Sequence, residues 1–297
     1  MKRTAHLAGV GFAVIFGFTF LFSKIALDYV SPVGLISYRF LAAVVAFETL
    51  RRLKIVSIRF VKVWWKLWLP VALGEPILYF LFETYGLRET TSGEAGMMIA
   101  LIPIFVTILS ALILKERPRL LQVLFILLSV SGIMYIQLSK TPTGTTGEFW
   151  GFLLLFAAVL SAAVFNIASK RATEVMKPVE ITYFMMLSGA VVFNAIYLVQ
   201  LAFGEGVGAY VTHLLHPEIL FPILYLGIVA SIGGFFLVNY ALSKLPAHVS
   251  SIYSNLSTIV AILAGALILG EPLMAYHYVG SAMILVGVYG TVFFGRH

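Results

Sequence analysis

The chain has no cysteine, so it holds no disulfide, no thiolate nucleophile and no Cys-ligated metal. It is also short of charge: Asp, Glu, Lys and Arg make up 11% of its 297 residues, against about 25% in a soluble domain. No glycine-rich nucleotide loop, His-rich metal motif or Ser/Lys dyad in a supporting motif is evident. That disfavours an intramembrane enzyme and an ATP-driven pump, and leaves no cofactor and no metal to expect. His213 and His216 have helical spacing but no third ligand nearby, and they read as part of a loop or interfacial helix. The first apolar run, after Met1-Lys2-Arg3, is too long for a signal-peptide core and has no clear small-x-small cleavage site after it. It reads as an uncleaved first span.

What the chain has in quantity is apolar sequence, 61% of residues, arranged in runs near 20 residues long. Each such run is long enough to cross roughly 30 Å of hydrocarbon as a helix. The fold class expected is all-α integral membrane, with ten spans near 6–28, 33–50, 65–87, 93–114, 120–139, 148–170, 179–202, 218–243, 247–269 and 274–295. Breakers separate them, among them Ser31-Pro32, Arg117-Pro118, Lys177-Pro178 and Leu245-Pro246. With the N-terminus inside, sixteen of the twenty Lys and Arg fall in inside segments, Arg88 and Lys140 fall outside, and Lys24 and Arg39 lie within spans. This bias predicts cytoplasmic N- and C-termini in a cell membrane. The net charge of +7 is accounted for by those flanks, so no nucleic acid is expected. The basic, Trp-containing stretch 51–66 reads as a membrane-surface segment in contact with lipid. A monomer is expected.

The sequence repeats itself. Thr84-Tyr85-Gly86-Leu87 is echoed by Asn239-Tyr240-Ala241-Leu242, Leu112–Glu116 by Leu267–Glu271, and Gly132 by Gly287, all at an offset of 155. Earlier in each half the offset is 146, pairing Ser23-Lys24 with Ser169-Lys170 and Pro32-Val33 with Pro178-Val179. These matches predict two five-helix units, residues 1–140 and 148–297. Five is odd, so the second unit enters the membrane inverted. Inverted repeats of this kind place substrate sites near the midplane between the halves and work by alternating access.

A charged side chain in a bilayer costs roughly 2.5–3.5 kcal/mol on insertion scales, so a retained one faces a cavity or another charge. The stretch Gly74–Leu87, GEPILYFLFETYGL, holds two carboxylates and Pro76. Glu75, Tyr79 and Glu83 share one helical face. From a rise of about 1.5 Å per residue, Glu83 stands at a height overlapping Lys24 and Arg39, with Glu75 nearer the middle. Two readings compete: an outer ion-pair network tying the first three spans together through Lys24, Asp28 and Glu83, or a cavity wall. In the second reading cations meet a substrate carboxylate, and carboxylates meet an ammonium or a coupling proton. Depth favours Glu75 for the coupling role, and Pro76 offers a point where its helix could open. In the second half Asn239 and Tyr253 are the cavity candidates. The stripe Ser250, Ser254, Ser257 reads as helix packing.

Residues 82–136, FETYGLRETTSGEAGMMIALIPIFVTILSALILKERPRLLQVLFILLSVSGIMYI, resemble the EamA-type repeat of the drug/metabolite transporter superfamily. Residues 239–290 repeat the pattern, and FGFTFLFSKIA (16–26) and PVGLISYRFLAA (32–43) resemble its first two helices. The marks are a small-residue-rich fourth helix with Pro103, a Leu-rich end closing on Glu116, and Gly132 late in the fifth helix. Thr258 stands where the first half has Pro103, so the sequence offers no support for a kink in the ninth helix. The resemblance implies ten helices, alternating access and a small-molecule substrate, often exported. Amino acids or related amphipathic compounds lead, and drugs or organic cations are the alternative.

Overall fold

A computed structural model describes residues 2–59, 65–89, 98–139, 149–268 and 273–294. Its helices fall where the apolar runs predict, the opening of the fourth run at 93–97 lying outside the described residues: α1 (Lys2–Leu27), α2 (Pro32–Arg52), α3 (Trp65–Ala72, Leu73–Leu78 and Tyr79–Glu89), α4 (Ile102–Leu109 continuing through Ser110–Leu114) and α5 (Leu120–Ser139). They continue as α6 (Phe149–Ala172), α7 (Pro178–Ala202), α8 (Pro217–Leu224, Tyr225–Gly234 and Phe235–Lys244), α9 (Ala247–Ser251 and Ser254–Ile268) and α10 (Ala275–Phe293). Eight are long and apolar enough to cross a membrane, and the apolar stretches of α4 and α5 are shorter. A short helix, Ala209–Leu214, joins α7 to α8. Proline opens α2, α7 and α8, where the missing N–H would have no helical partner. Ser31 caps α2 by accepting from the Gly34 N–H at 3.2 Å.

The pairing of helices is unchanged when each is exchanged with the one five places on. α1 packs on α8 and α9, and α6 packs on α3 and α4; α2 pairs with α7, and α5 with α10. Equivalent positions therefore meet twice. The Ser37 hydroxyl donates to Asn194 at 2.7 Å near one end of the α2–α7 interface. At the other end the Tyr183 hydroxyl donates to Glu48 at 2.5 Å, each partner standing 146 positions from its counterpart in the first pair. Between α5 and α10, a Cβ on Gly132 would meet the Gly280 carbonyl oxygen at 2.7 Å, and one on Gly287 would meet that of Phe125 at 2.6 Å. Only glycine lets the two backbones approach so closely.

Four of the regions where helices change pitch also correspond, while the wide turn closing α4 at Ser110–Leu114 has no counterpart in the described part of α9. The wide turn of α3 at Leu73–Leu78 lies 155 positions before the middle of the wide turn of α8 at Tyr225–Gly234. Tight three-residue bonds mark the start of α4 (Ile104 N–H to Leu101) and the interior of α9 (Asn255 N–H to Ile252, Leu256 N–H to Tyr253). The change of pitch in α9 corrects the expectation drawn from the missing proline. There, serine side chains bond back to the carbonyls three residues earlier (Ser251 to His248, Ser254 to Ser251), which loosens a helix without proline.

Two walls result. One holds α1, α2, α8 and α9, the other α3, α4 and α6, so each draws on both halves of the sequence. They join on the face where α1 begins. There the Lys170 ammonium donates to the carbonyls of Leu242 and Leu245 at 2.8 and 2.7 Å, capping the end of α8. The Glu116 carboxylate accepts from the Ala247 N–H at 2.7 Å, at the positive end of α9. Arg59 pairs with Glu180 at 2.8 Å on the same face, and that bond holds its guanidinium above its ordinary pKa.

Replacing Gly132 by Val should lower the melting temperature of the detergent-solubilised protein by an amount equal to about 1–3 kcal/mol, the usual range for overpacking. Gly208→Ala, where a Cβ meets nothing within 4 Å, should leave it unchanged. Equal melting temperatures for both variants would contradict the close contact.

Candidate functional site

Between the walls lies a cavity of about 470 Å³, within the usual range for small-molecule sites. It extends from Phe12, in the first half of α1, to Leu27 and Pro32 at the opposite face, where α1 gives way to α2. It is therefore closed at the face bridged by Lys170 and Glu116 and reaches toward the other. Phe12, Phe16, Phe165 and Phe235 form its apolar floor, with neighbouring rings 5.4 to 6.1 Å apart.

Four of the residues singled out in the sequence meet here: Arg39, Glu75, Tyr79 and Glu83. Arg39 is 7% exposed. Its Nε donates to the Ser231 hydroxyl of α8 at 2.7 Å, and its Cζ lies 4.8 Å from the centre of the Phe80 ring, a cation–π contact. Among the described residues no carboxylate oxygen lies within 4.0 Å of it, and its terminal amino groups have no hydrogen-bond partner. Glu75 sits in the wide turn of α3 with extended dihedrals (φ −148°, ψ 123°), followed by a proline that has no N–H to give. The helix is open there, and the Glu75 side chain lines the cavity. Glu83, two turns on, receives a long hydrogen bond of 3.5 Å from the Tyr79 hydroxyl.

The facing wall is polar but uncharged. Ser250, Ser251, Ser254 and Ser257 of α9 line the cavity with Asn255 and Thr258. Ser254 and Ser257 donate their protons to carbonyls of their own helix, leaving oxygen lone pairs toward the cavity. The Ser250 hydroxyl is buried with no partner. This corrects the reading of the serine stripe as helix packing.

Two other candidates lie elsewhere. Asn239 is fully buried where α6, α7 and α8 meet: it accepts from Ser169 at 2.5 Å and donates to Thr182 at 2.9 Å. Tyr253 lies between α1 and α9, its hydroxyl 2.7 Å from the His6 ring and its own ring beside Gly9. Neither lines the cavity. Polarity within a span marked them, but both face neighbouring helices. The Lys24 side chain lies outside the described residues, and Asp28 is exposed in a separate pocket at the α1–α2 turn. Ser231 gave no signal in the sequence beyond being a hydroxyl in an apolar helix.

The family profile described as EamA-like transporter family matches residues 3–138 and 149–293. The chain is 37% identical to the uncharacterized transporter YcxC of Bacillus subtilis (strain 168), over 98% of this chain and 93% of that one. It is 24% identical to a probable amino-acid metabolite efflux pump of Salmonella typhimurium, over 99% and 96% of the two chains, and 23% identical to one of that name from Escherichia coli K12, also over 99% and 96%. A solved crystal structure superposes with a TM-score of 0.81 at 18% identity, covering 100% of this chain and 99% of that one, a likeness of fold.

Because the chain has no cysteine, single thiols report on these positions cleanly. Thr19→Cys and Ser257→Cys should react with a small water-soluble maleimide in the folded protein, and Asn239→Cys should not. Equal reaction at Asn239→Cys and Ser257→Cys would refute the placement.

Proposed function

The chain belongs to the EamA-like transporter family, and from that premise we propose that it is a secondary exporter of amino acids or related amphipathic metabolites, working by alternating access. It is a multi-pass membrane protein. The observation that carries the substrate reading is the buried Arg39 guanidinium, its terminal amino groups without partners, in a cavity shared with Glu75 and Glu83. A guanidinium edge receives a carboxylate through two parallel hydrogen bonds. The carboxylates receive an ammonium or a proton, and the phenylalanine floor receives an apolar body.

In this reading the units 1–140 and 148–297 are inverted repeats with both termini in the cytoplasm of a cell, and the protein acts as a monomer. Support comes from the Lys and Arg bias and from the exchange pattern of helix contacts. The cavity then faces outward. A proton entering from outside binds Glu75 and displaces the substrate's ammonium. The halves rock, Lys170 and Glu116 release the α8–α9 turn, and the proton leaves to the cytoplasm as new substrate binds. A second reading, export of an organic cation, is favoured by two carboxylates facing one guanidinium.

Counterflow in proteoliposomes against amino acids, organic cations and phosphorylated metabolites separates these readings, with amino acids expected to exchange. Glu75→Gln should leave the melting temperature intact and abolish the response of transport to a pH gradient. Wild-type rates with unchanged pH dependence would remove Glu75 from coupling. Arg39→Ala should weaken a zwitterionic substrate about tenfold or more, as expected for a lost charged hydrogen bond, and a cationic one much less. Equal loss for both would make Arg39 structural.

A further inference from the structure

Opposite charges that share a low-dielectric cavity attract strongly, yet the Arg39 guanidinium has no carboxylate within 4.0 Å among the described residues. Something holds it away from Glu75 and Glu83. Two contacts do so: the Nε bond to the Ser231 hydroxyl and the Phe80 ring under the guanidinium carbon. Phe80 gives attraction without direction about the Cζ axis. Ser231 supplies the direction. A bond to Nε fixes the plane of the guanidinium and turns the opposite edge, with its terminal amino groups, away from α8.

We propose that Ser231 is a positioning residue that keeps Arg39 from neutralising Glu75 and Glu83, and so keeps both charges available to a substrate. The proposal rests on the cavity being the substrate site. Ser231 is suited to the task by its place. It is fully buried, and its proton-accepting oxygen is brought to Arg39 by the wide turn Tyr225–Gly234 of α8. The corresponding wide turn of α3 carries Glu75, and Pro76 stands there at the position equivalent to Ser231. One pitch change thus delivers a carboxylate to the cavity, and its counterpart delivers the group that restrains the cation. Without the Ser231 oxygen the guanidinium is free to swing across and pair with a carboxylate. The site then satisfies itself, and a substrate must break that pair to bind.

The test needs no knowledge of the substrate. Full-length protein in detergent is treated with phenylglyoxal, which reacts with the guanidinium edge, and modification of Arg39 is followed by peptide mass spectrometry. Ser231→Ala should slow modification at Arg39 by about tenfold, the scale of a charged hydrogen bond. Ser231→Thr, which keeps the hydroxyl, should react as wild type. Adding Glu75→Gln and Glu83→Gln to Ser231→Ala should restore the rate, because the competing partners are gone. Melting temperatures taken on the same samples identify a variant that has simply lost its fold. In that case Ser231→Cys, a weaker acceptor of similar size, takes the place of the alanine. Unchanged or faster modification in a folded Ser231→Ala protein overturns the proposal, as does a slow rate that persists when both carboxylates are removed. Neither result depends on the counterflow screen, so a failed substrate assignment and a failed role for Ser231 remain distinguishable.

Discussion

The bond from Arg39 to Ser231 joins α2 to α8, and the stacking of Arg39 on Phe80 joins α2 to α3. A single desolvated cation thereby touches both walls of the cavity. An unpaired guanidinium at that depth is expensive, and it is tolerated only because it faces a cavity and has an acceptor and an aromatic face to sit against. Much else follows from that requirement. α8 must change pitch to present Ser231, and α3 must open to present Glu75. The walls must stay apart at the α1–α2 end, and the separation must be balanced by firm joining at the other end, where Lys170 and Glu116 hold the α8–α9 turn.

The scaffold is two-fold in its contacts but not in its chemistry. Backbone features repeat: the glycine approach between α5 and α10, the paired bonds at the two ends of α2 and α7, the wide turns in α3 and α8. The charges do not. Glu75 and Glu83 correspond to Ala230 and Val238, and Arg39 to Met185. Repetition supplies two walls of matching helix pairings, and the broken repetition of side chains puts the cation on one wall and the two carboxylates on the other.

The ten helices were legible because bilayer thickness imposes a length on each apolar run, and because the Lys and Arg bias checks the count. Arg39, Glu75 and Glu83 were legible for a related reason, since a charge within an apolar run needs a cause. The uncharged part of the site was not. A serine can face a cavity, bond back to its own helix or bridge to a neighbour at little difference in cost, so its residue type says nothing about direction. Ser231 and the α9 serines were missed or misread on that account. Asn239 and Tyr253 failed in the opposite sense: their polarity is satisfied by Ser169, Thr182 and His6, partners distant in sequence. The change of pitch in α9 was hidden because proline is the visible signal for one, and serine back-bonding produces it here.

The interleaving of the walls also bears on how such a chain is made. α1 packs on α8 and α9, and Arg39 finds its acceptor 192 positions later in the sequence. The first five helices alone lack α8 and α9 of one wall and α6 of the other, and with them the Ser231 acceptor of Arg39. The cavity around Arg39 is therefore complete only when α6, α8 and α9 are in place, and the first half of the chain cannot form it by itself.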